Sequence, residues 1–211
     1  MHIINRIAAF HAEMTSWRRD LHTHPETAFE EHRTAAFVAQ RLRDWGIDVH
    51  QGLAKTGVVG TLKRGNDGHA IGLRADMDAL PMEELNEFDY RSTVPGKFHG
   101  CGHDGHTAML LGAARYLAET GNFDGTVHFI FQPAEENVAG GGVMVREGLF
   151  EKFPMTAVYG LHNRPNLPIG EFAMRPGPAL ANADNFGITI RGRGTPRGSE
   201  VTFGNIRDGT R

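Results

Sequence analysis

The chain has 211 residues, 40% of them hydrophobic and 22% charged, with a formal net charge of -3. That size allows one good-sized domain, or one domain and part of a second, and that charge gives no general pull toward nucleic acid or an anionic membrane. No apolar run approaches the ~20 residues needed to span a bilayer, and the N-terminus lacks the apolar core of a signal peptide, since His11 and Glu13 interrupt it. The single cysteine excludes an internal disulfide and fits a reducing cytoplasm. Residues 3–22 carry Ile3, Ile7, Phe10, Met14 and Trp17 at helical steps, and residues 31–45 repeat the pattern with Ala35, Val38, Leu42 and Trp45 before a stop at Gly46. Gly57–Leu62 and Ala70–Leu73 are short apolar runs between turn residues, hence predicted strands. A helix is predicted over Thr107–Glu119, a strand over Thr126–Phe131, a helix over Gly142–Phe150 and a strand over Ala157–Leu161. Alternating strands and helices predict a three-layer α/β domain with a largely parallel, buried sheet.

Three predicted strands run into chemistry-bearing residues: Arg74-Ala75-Asp76-Met77-Asp78, Gln132-Pro133-Ala134-Glu135-Glu136 and His162-Asn163. Ligands of open α/β sheets bind beyond the carboxyl ends of the strands. Between them lies Gly100-Cys101-Gly102-His103-Asp104-Gly105-His106. On an extended segment, Cys101 and His103 at i, i+2 would point to one side and reach one ion. Thiolate, imidazole and carboxylate together make a transition-metal shell. Of the paired Glu135 and Glu136, one could coordinate while the other holds the attacking water and moves its proton. Asp76 and Asp78 could orient a ligand imidazole.

Each feature also has a plainer reading. Cys101 suits a buried free thiol beside a surface histidine, and Glu135-Glu136 suits a solvated loop. Asp76 and Asp78 suit loop capping, and His162 suits a satisfied histidine at a strand end. His24, in Leu21-His22-Thr23-His24-Pro25-Glu26, could line a site or merely end a helix. No H-E-x-x-H, G-x-S-x-G or P-loop lysine motif occurs. The Arg/Gly segment after Ile190 has the look of an RNA-binding tail, but it is short and carries Glu200 and Asp208.

Taken together, Leu21–Glu26, Arg74–Pro81, Cys101–Thr107, Gln132–Glu136 and Gly160–Asn163 resemble the M20 metallopeptidase family. They are most similar to its M20D amidohydrolase branch of hippurate, N-acyl-amino-acid and auxin-conjugate hydrolases, over about residues 15–194. The resemblance implies a zinc-peptidase-like catalytic domain. It implies metal ligation by Cys101, His103, Glu136 and His162, with Glu135 as general base. Asp78 falls at the family's metal-orienting aspartate, whereas Asp76 stands where related peptidases carry a ligand histidine. Two divalent ions per site are implied, as zinc, manganese, cobalt or nickel. The implied reaction is hydrolysis of the amide bond of a small N-acyl amino acid, with neither nucleic acid nor membrane as partner. The resemblance divides the chain into an incomplete catalytic domain at 1–181, the first strand of a lid and dimerisation domain at 182–194, and a divergent, disordered tail at 195–211. The family's Gly-Gly-His-Ala-Ala-like segment and its last metal-binding histidine have no counterpart here after Gly194. The expectation is therefore a truncated, impaired cytoplasmic enzyme whose complete form could pair through the lid. The alternative is a fragment that binds metal without catalysis.

Overall fold

The computed structural model describes residues 4–178. The strand predicted over Asp184–Ile190 and the segments 182–194 and 195–211 lie outside the described residues. The chain separates into two units, Met1–Arg164 and Pro165–Arg211, and the candidate site belongs to the first.

The first predicted helix is divided into α1 (Asn5–Ala9) and α2 (His11–Thr23) by a turn at Phe10. The Phe10 ring is buried there, with the Arg6 and Arg115 guanidiniums over it at 4.6 and 4.2 Å. α3 (His32–Asp44) buries Ala35, Val38, Ala39 and Leu42, which are spaced at three and four residues, and it stops before Gly46, whose φ of +71 few other residues adopt.

β1 (Asp48–Leu53) follows, a strand that its mostly polar sequence does not announce. It forms an antiparallel edge on β2 (Gly57–Arg64), and β2 pairs antiparallel with β4 (Gly125–Gln132). β4 pairs parallel with β3 (Ala70–Asp76), and β3 pairs parallel with β5 (Ala157–Gly160). The order is β1-β2-β4-β3-β5. The sheet is therefore mixed: the expected parallel part is formed by β4, β3 and β5, and β1 and β2 add an antiparallel edge. Connection length is the reason: β1 and β2 are joined by a tight turn over Ala54–Thr56, which can only return the chain antiparallel.

The apolar runs of β2 and β4 are buried on both faces. Val58, Leu62, Val127, Phe129 and Phe131 face one core with Trp17, Val38, Leu42 and Leu111. Val59 and Ile130 face the other, with Leu53, Met144 and Leu149. Helices α2, α3 and α4 (His103–Thr120) supply the first layer, and α6 (Gly140–Arg146) and α7 (Leu149–Lys152) supply the second. Gly148, at φ +91, separates these last two, which the sequence suggests as one helix. A four-residue α5 (Glu135–Val138) precedes them. No helix among the described residues is long and apolar enough to cross a membrane.

The parallel strands β3, β4 and β5 end side by side at Asp76, Gln132 and Gly160, with Asp76 opposite Gln132 in register. The expected convergence of strand ends is found, and it places the site at that edge.

Candidate metal centre

Three segments meet beyond the strand ends. β3 delivers Asp76 and Asp78, the turn after β4 delivers Glu135 and Glu136, and β5 runs into His162. A fourth comes from the start of α4. That helix begins at His103, four residues before the predicted Thr107, because Gly102 adopts a left-handed turn at φ +94. Cys101 and His103 thus do not sit on one extended strand. The turn at Gly102 brings them together instead, and a Cβ on Gly102 would collide with the Asn163 amide oxygen. Glu135 and Glu136 likewise open α5 rather than occupying a loop, after Ala134 at φ +55.

His103 is fully buried, and Asp78 sets its tautomer. Its Nδ1–H donates to the Asp78 main-chain oxygen at 2.8 Å and to Oδ1 at 3.2 Å. The other Asp78 oxygen accepts the Glu136 main-chain N–H at 3.0 Å, so one carboxylate orients both residues. Among the described residues, neither His103 Nε2 nor Glu136 Oε1 has a hydrogen-bond partner, and the Asp76 carboxylate lies 3.6 Å from Nε2. The two partnerless buried atoms face each other at 3.8 Å. The Sγ of Cys101 completes a group whose ligand atoms all lie within 4.8 Å of one another.

A second group at the same spacing contains Asp76, His103, His106 and His162. His106 Nδ1–H donates to Asp76 Oδ1 at 2.6 Å, and Arg74 donates to Asp76 Oδ2 at 2.8 Å. His106 Nε2 faces Asn163, 2.6 Å from Oδ1 and 3.1 Å from the main-chain nitrogen. His162 Nδ1 bonds the Asn163 main-chain oxygen at 2.8 Å, which leaves Nε2 directed at Cys101 Sγ, 3.4 Å away. Cys101, His103, Glu136 and His162 are therefore neighbours, but in two overlapping groups that share His103.

The electrostatics favour added positive charge. Asp76, Asp78, Glu135 and Glu136 crowd together, and among the described residues their ion pairs go to Arg74, His103 and His106. Burial opposes the charge of Asp76, yet the His106 bond and the His103 and Arg74 charges hold its pKa at about 2. Asp78 is also lowered, with burial outweighed by its bonds to His103 and to the Glu136 and Glu135 amides. Burial likewise works against a charged His103, but the Asp78 bond and the Asp76 and Glu136 charges raise its pKa. The Cys101 thiol is pushed up to about 12 by burial, then by its contact with Glu136 and the surrounding carboxylates. A bound cation reverses that last effect, since a coordinating thiol loses its proton. Glu135 is raised by burial and by Glu136, and its side chain reaches solvent.

His106 and Asn163 escaped the sequence reading. The signal for His106 is its i, i+3 spacing from His103, which counts only once the helix is known to start at His103. His24 takes no part in either group; it caps α2, and its ring bonds the Asp20 main-chain oxygen at 2.8 Å. His22 is buried behind the site, between Asp104 at 2.7 Å and Glu84 at 3.1 Å.

A three-layer α/β fold with clustered Cys, His and carboxylate ligands beyond its parallel strand ends is the architecture of a metallohydrolase. The chain belongs to Peptidase family M20/M25/M40, whose sequence pattern matches residues 72–208. It is 45% identical over 194 residues to the hippurate hydrolase of Campylobacter jejuni, covering 92% of this chain and 50% of that protein. It is 42% identical over 190 residues to the N-acetylcysteine deacetylase of Bacillus subtilis, covering 88% and 49%. Among solved structures, the YXEP protein of Bacillus subtilis, described as a dinuclear metal binding peptidase, superposes with a TM-score of 0.73 at 41% identity. That match covers 77% of this chain and 46% of the other. The chain thus spans about half the length of the curated relatives it matches.

Proposed function

We propose that this chain carries the metal-holding part of a metal-dependent amidohydrolase that cleaves N-acyl amino acids. The observation that carries the reading is the pair of buried, partnerless atoms, His103 Nε2 and Glu136 Oε1, facing each other beside the Cys101 sulfur. Leaving such groups unsatisfied costs about 1–3 kcal/mol each, a cost that a coordinated cation removes. The donor set of one sulfur, imidazole nitrogens and carboxylate oxygens suits zinc, manganese, cobalt or nickel. His103 has one free lone pair and can serve one ion, with Glu136. His162, beside Asp76 and His106, would hold a second, and the Cys101 thiolate has lone pairs for both. The dinuclear character of the similar Bacillus structure supports that count.

A divalent ion held there supplies a Lewis acid for the amide carbonyl and makes water more acidic. The remaining work falls to this chain's side chains. Asp78 fixes His103 and Glu136, and Asp76 fixes His106. Glu135, exposed and with a raised affinity for protons, takes a proton from the attacking water. It returns that proton to the amine nitrogen as the C–N bond breaks, so that a carboxylic acid and an amine leave. The names of the similar hippurate hydrolase and N-acetylcysteine deacetylase support small N-acyl amino acids as the substrate class.

The test pairs metal content with hydrolysis. The 211-residue chain, stripped by a chelator, is titrated with zinc, manganese, cobalt and nickel, then assayed on hippurate and N-acetylcysteine. Tight binding that Cys101→Ser and Glu136→Gln both weaken, with metal-dependent release of the amino acid, is expected. Binding indifferent to both substitutions would sink the metal centre. Binding without hydrolysis of either substrate would leave a metal-binding fragment and remove the catalytic half of the proposal.

A further inference from the structure

Among the described residues, five other than glycine adopt positive φ: Phe29, Ala54, Lys55, Ala134 and Ala139. Four of them lie in segments that meet at one side chain, Glu31, which is completely buried. One carboxylate oxygen of Glu31 accepts the Thr56 hydroxyl at 2.5 Å, next to Ala54 and Lys55. The other accepts the main-chain N–H of Ala134 at 2.9 Å, across 103 residues of sequence. Phe29 lies two residues before Glu31 in the same turn. Among the described residues no lysine, arginine or histidine pairs with this carboxylate. Left-handed backbone is unfavourable for residues with a Cβ and persists only where surroundings impose it. A buried acceptor with no counter-ion, tied to strained turns, is such a surrounding.

Ala134 is the residue before Glu135 and Glu136. Its left-handed turn ends β4 and points the next two side chains toward the site. That turn is held at both ends by carboxylates, by Glu31 at the Ala134 nitrogen and by Asp78 at the Glu136 nitrogen. We infer that Glu31 is a positioning residue: by clamping the Ala134 amide it sets the direction of the Glu135–Glu136 pair without touching the site. The inference rests on the metal-hydrolase reading for its consequence, but the clamp itself is a statement about local structure.

The experiment compares Glu31→Gln with Glu31→Met in the 211-residue chain. Gln can still accept from Ala134 while its amide donates to the Thr56 oxygen. Met fills similar volume but accepts nothing. Val38→Ala, a buried change two turns into α3 that leaves the Glu31, Thr56 and Ala134 hydrogen-bonding groups intact, serves as a control for general destabilisation. Two quantities are read well below the melting temperature: amide exchange at Ala134 and Glu136, and zinc affinity. In Glu31→Met, exchange at Ala134 is expected to rise roughly tenfold or more as the turn opens, and zinc affinity to fall by about 10–100-fold. Glu31→Gln should stay near wild type in both, and Val38→Ala should lower the melting temperature without changing either. Equal exchange and equal affinity in the Gln and Met variants would overturn the inference. So would a Val38→Ala effect matching that of Glu31→Met, since any destabilisation would then suffice. If Glu31→Met does not fold, Thr56→Val replaces it; removing that anchor should raise Ala134 exchange and weaken zinc binding, and no change in either overturns the clamp. If the wild-type chain binds no zinc, the metal-hydrolase reading fails, while amide exchange still decides whether the clamp exists.

Discussion

At the scale of single residues, Glu135 and Glu136 are adjacent in sequence yet differ in surroundings. Glu136 turns inward, leaving one oxygen buried and partnerless beside His103, whereas Glu135 reaches solvent with a pKa raised by burial and by Glu136. Their substitutions should therefore fail differently. Glu135→Gln keeps the shape but cannot accept a proton, so kcat should fall by roughly 10²–10⁴-fold with metal retained. Glu136→Gln removes an anionic ligand and should lose metal first. Metal stoichiometry and kcat measured on both variants check this, and the opposite pattern would reverse the two roles.

At the scale of elements, the position of α4 matters most, because its first turn carries His103 and His106. Behind that turn, Asp104 joins α4 to α2 through His22 and Arg18, at 2.7 and 2.8 Å. Glu84 completes the cluster from the long segment between β3 and α4. Burial disfavours a charged His22, but its bonds to Asp104 and Glu84 outweigh burial and the nearby Arg18, and its pKa is raised. Other groups around it are the His99 ring and the aromatic rings of Phe88, Tyr90 and Phe98. The folded state binds this proton more tightly than the unfolded one. The linkage contribution of His22 is thus fully present below its unfolded pKa of about 6.5, and it is lost as pH rises through the higher folded value. Melting temperatures measured across that range should fall more steeply with pH for wild type than for His22→Gln. Parallel curves would show that the cluster does not hold its proton.

For the whole molecule, the site is assembled from segments more than 80 residues apart, since Asp76 ends β3 and His162 follows the end of β5. Metal that binds only this assembly must stabilise the fold by mass action. Free zinc at 100 times its Kd should add about 2.7 kcal/mol to unfolding stability. A chelator should remove that increment, and Cys101→Ser should shrink it. Denaturant titrations with and without zinc measure it, and an increment unchanged in Cys101→Ser would place the bound metal elsewhere.

Sequence alone determined the elements whose burial is locally patterned. The doubly buried runs of β2 and β4, the apolar stripe of α3 and the body of α4 carry their periodicity within a few residues, so each was legible without the others. The meeting of strand ends at Asp76, Glu135–Glu136 and His162 was legible too, because every parallel strand delivers its last residues to the same edge of the sheet. Tertiary structure decided the rest. β1 is a strand because β2 offers it hydrogen bonds, not because Asp48–Leu53 has a strand pattern. The mixed direction of the sheet depends on which strands pair, and no single segment encodes that. His106 joins the site because the left-handed turn at Gly102 starts α4 early, and His22 is fixed by an aspartate 82 residues away. These are contacts between distant parts of the chain, where the free energy lies in the meeting of two segments and neither segment shows it by itself.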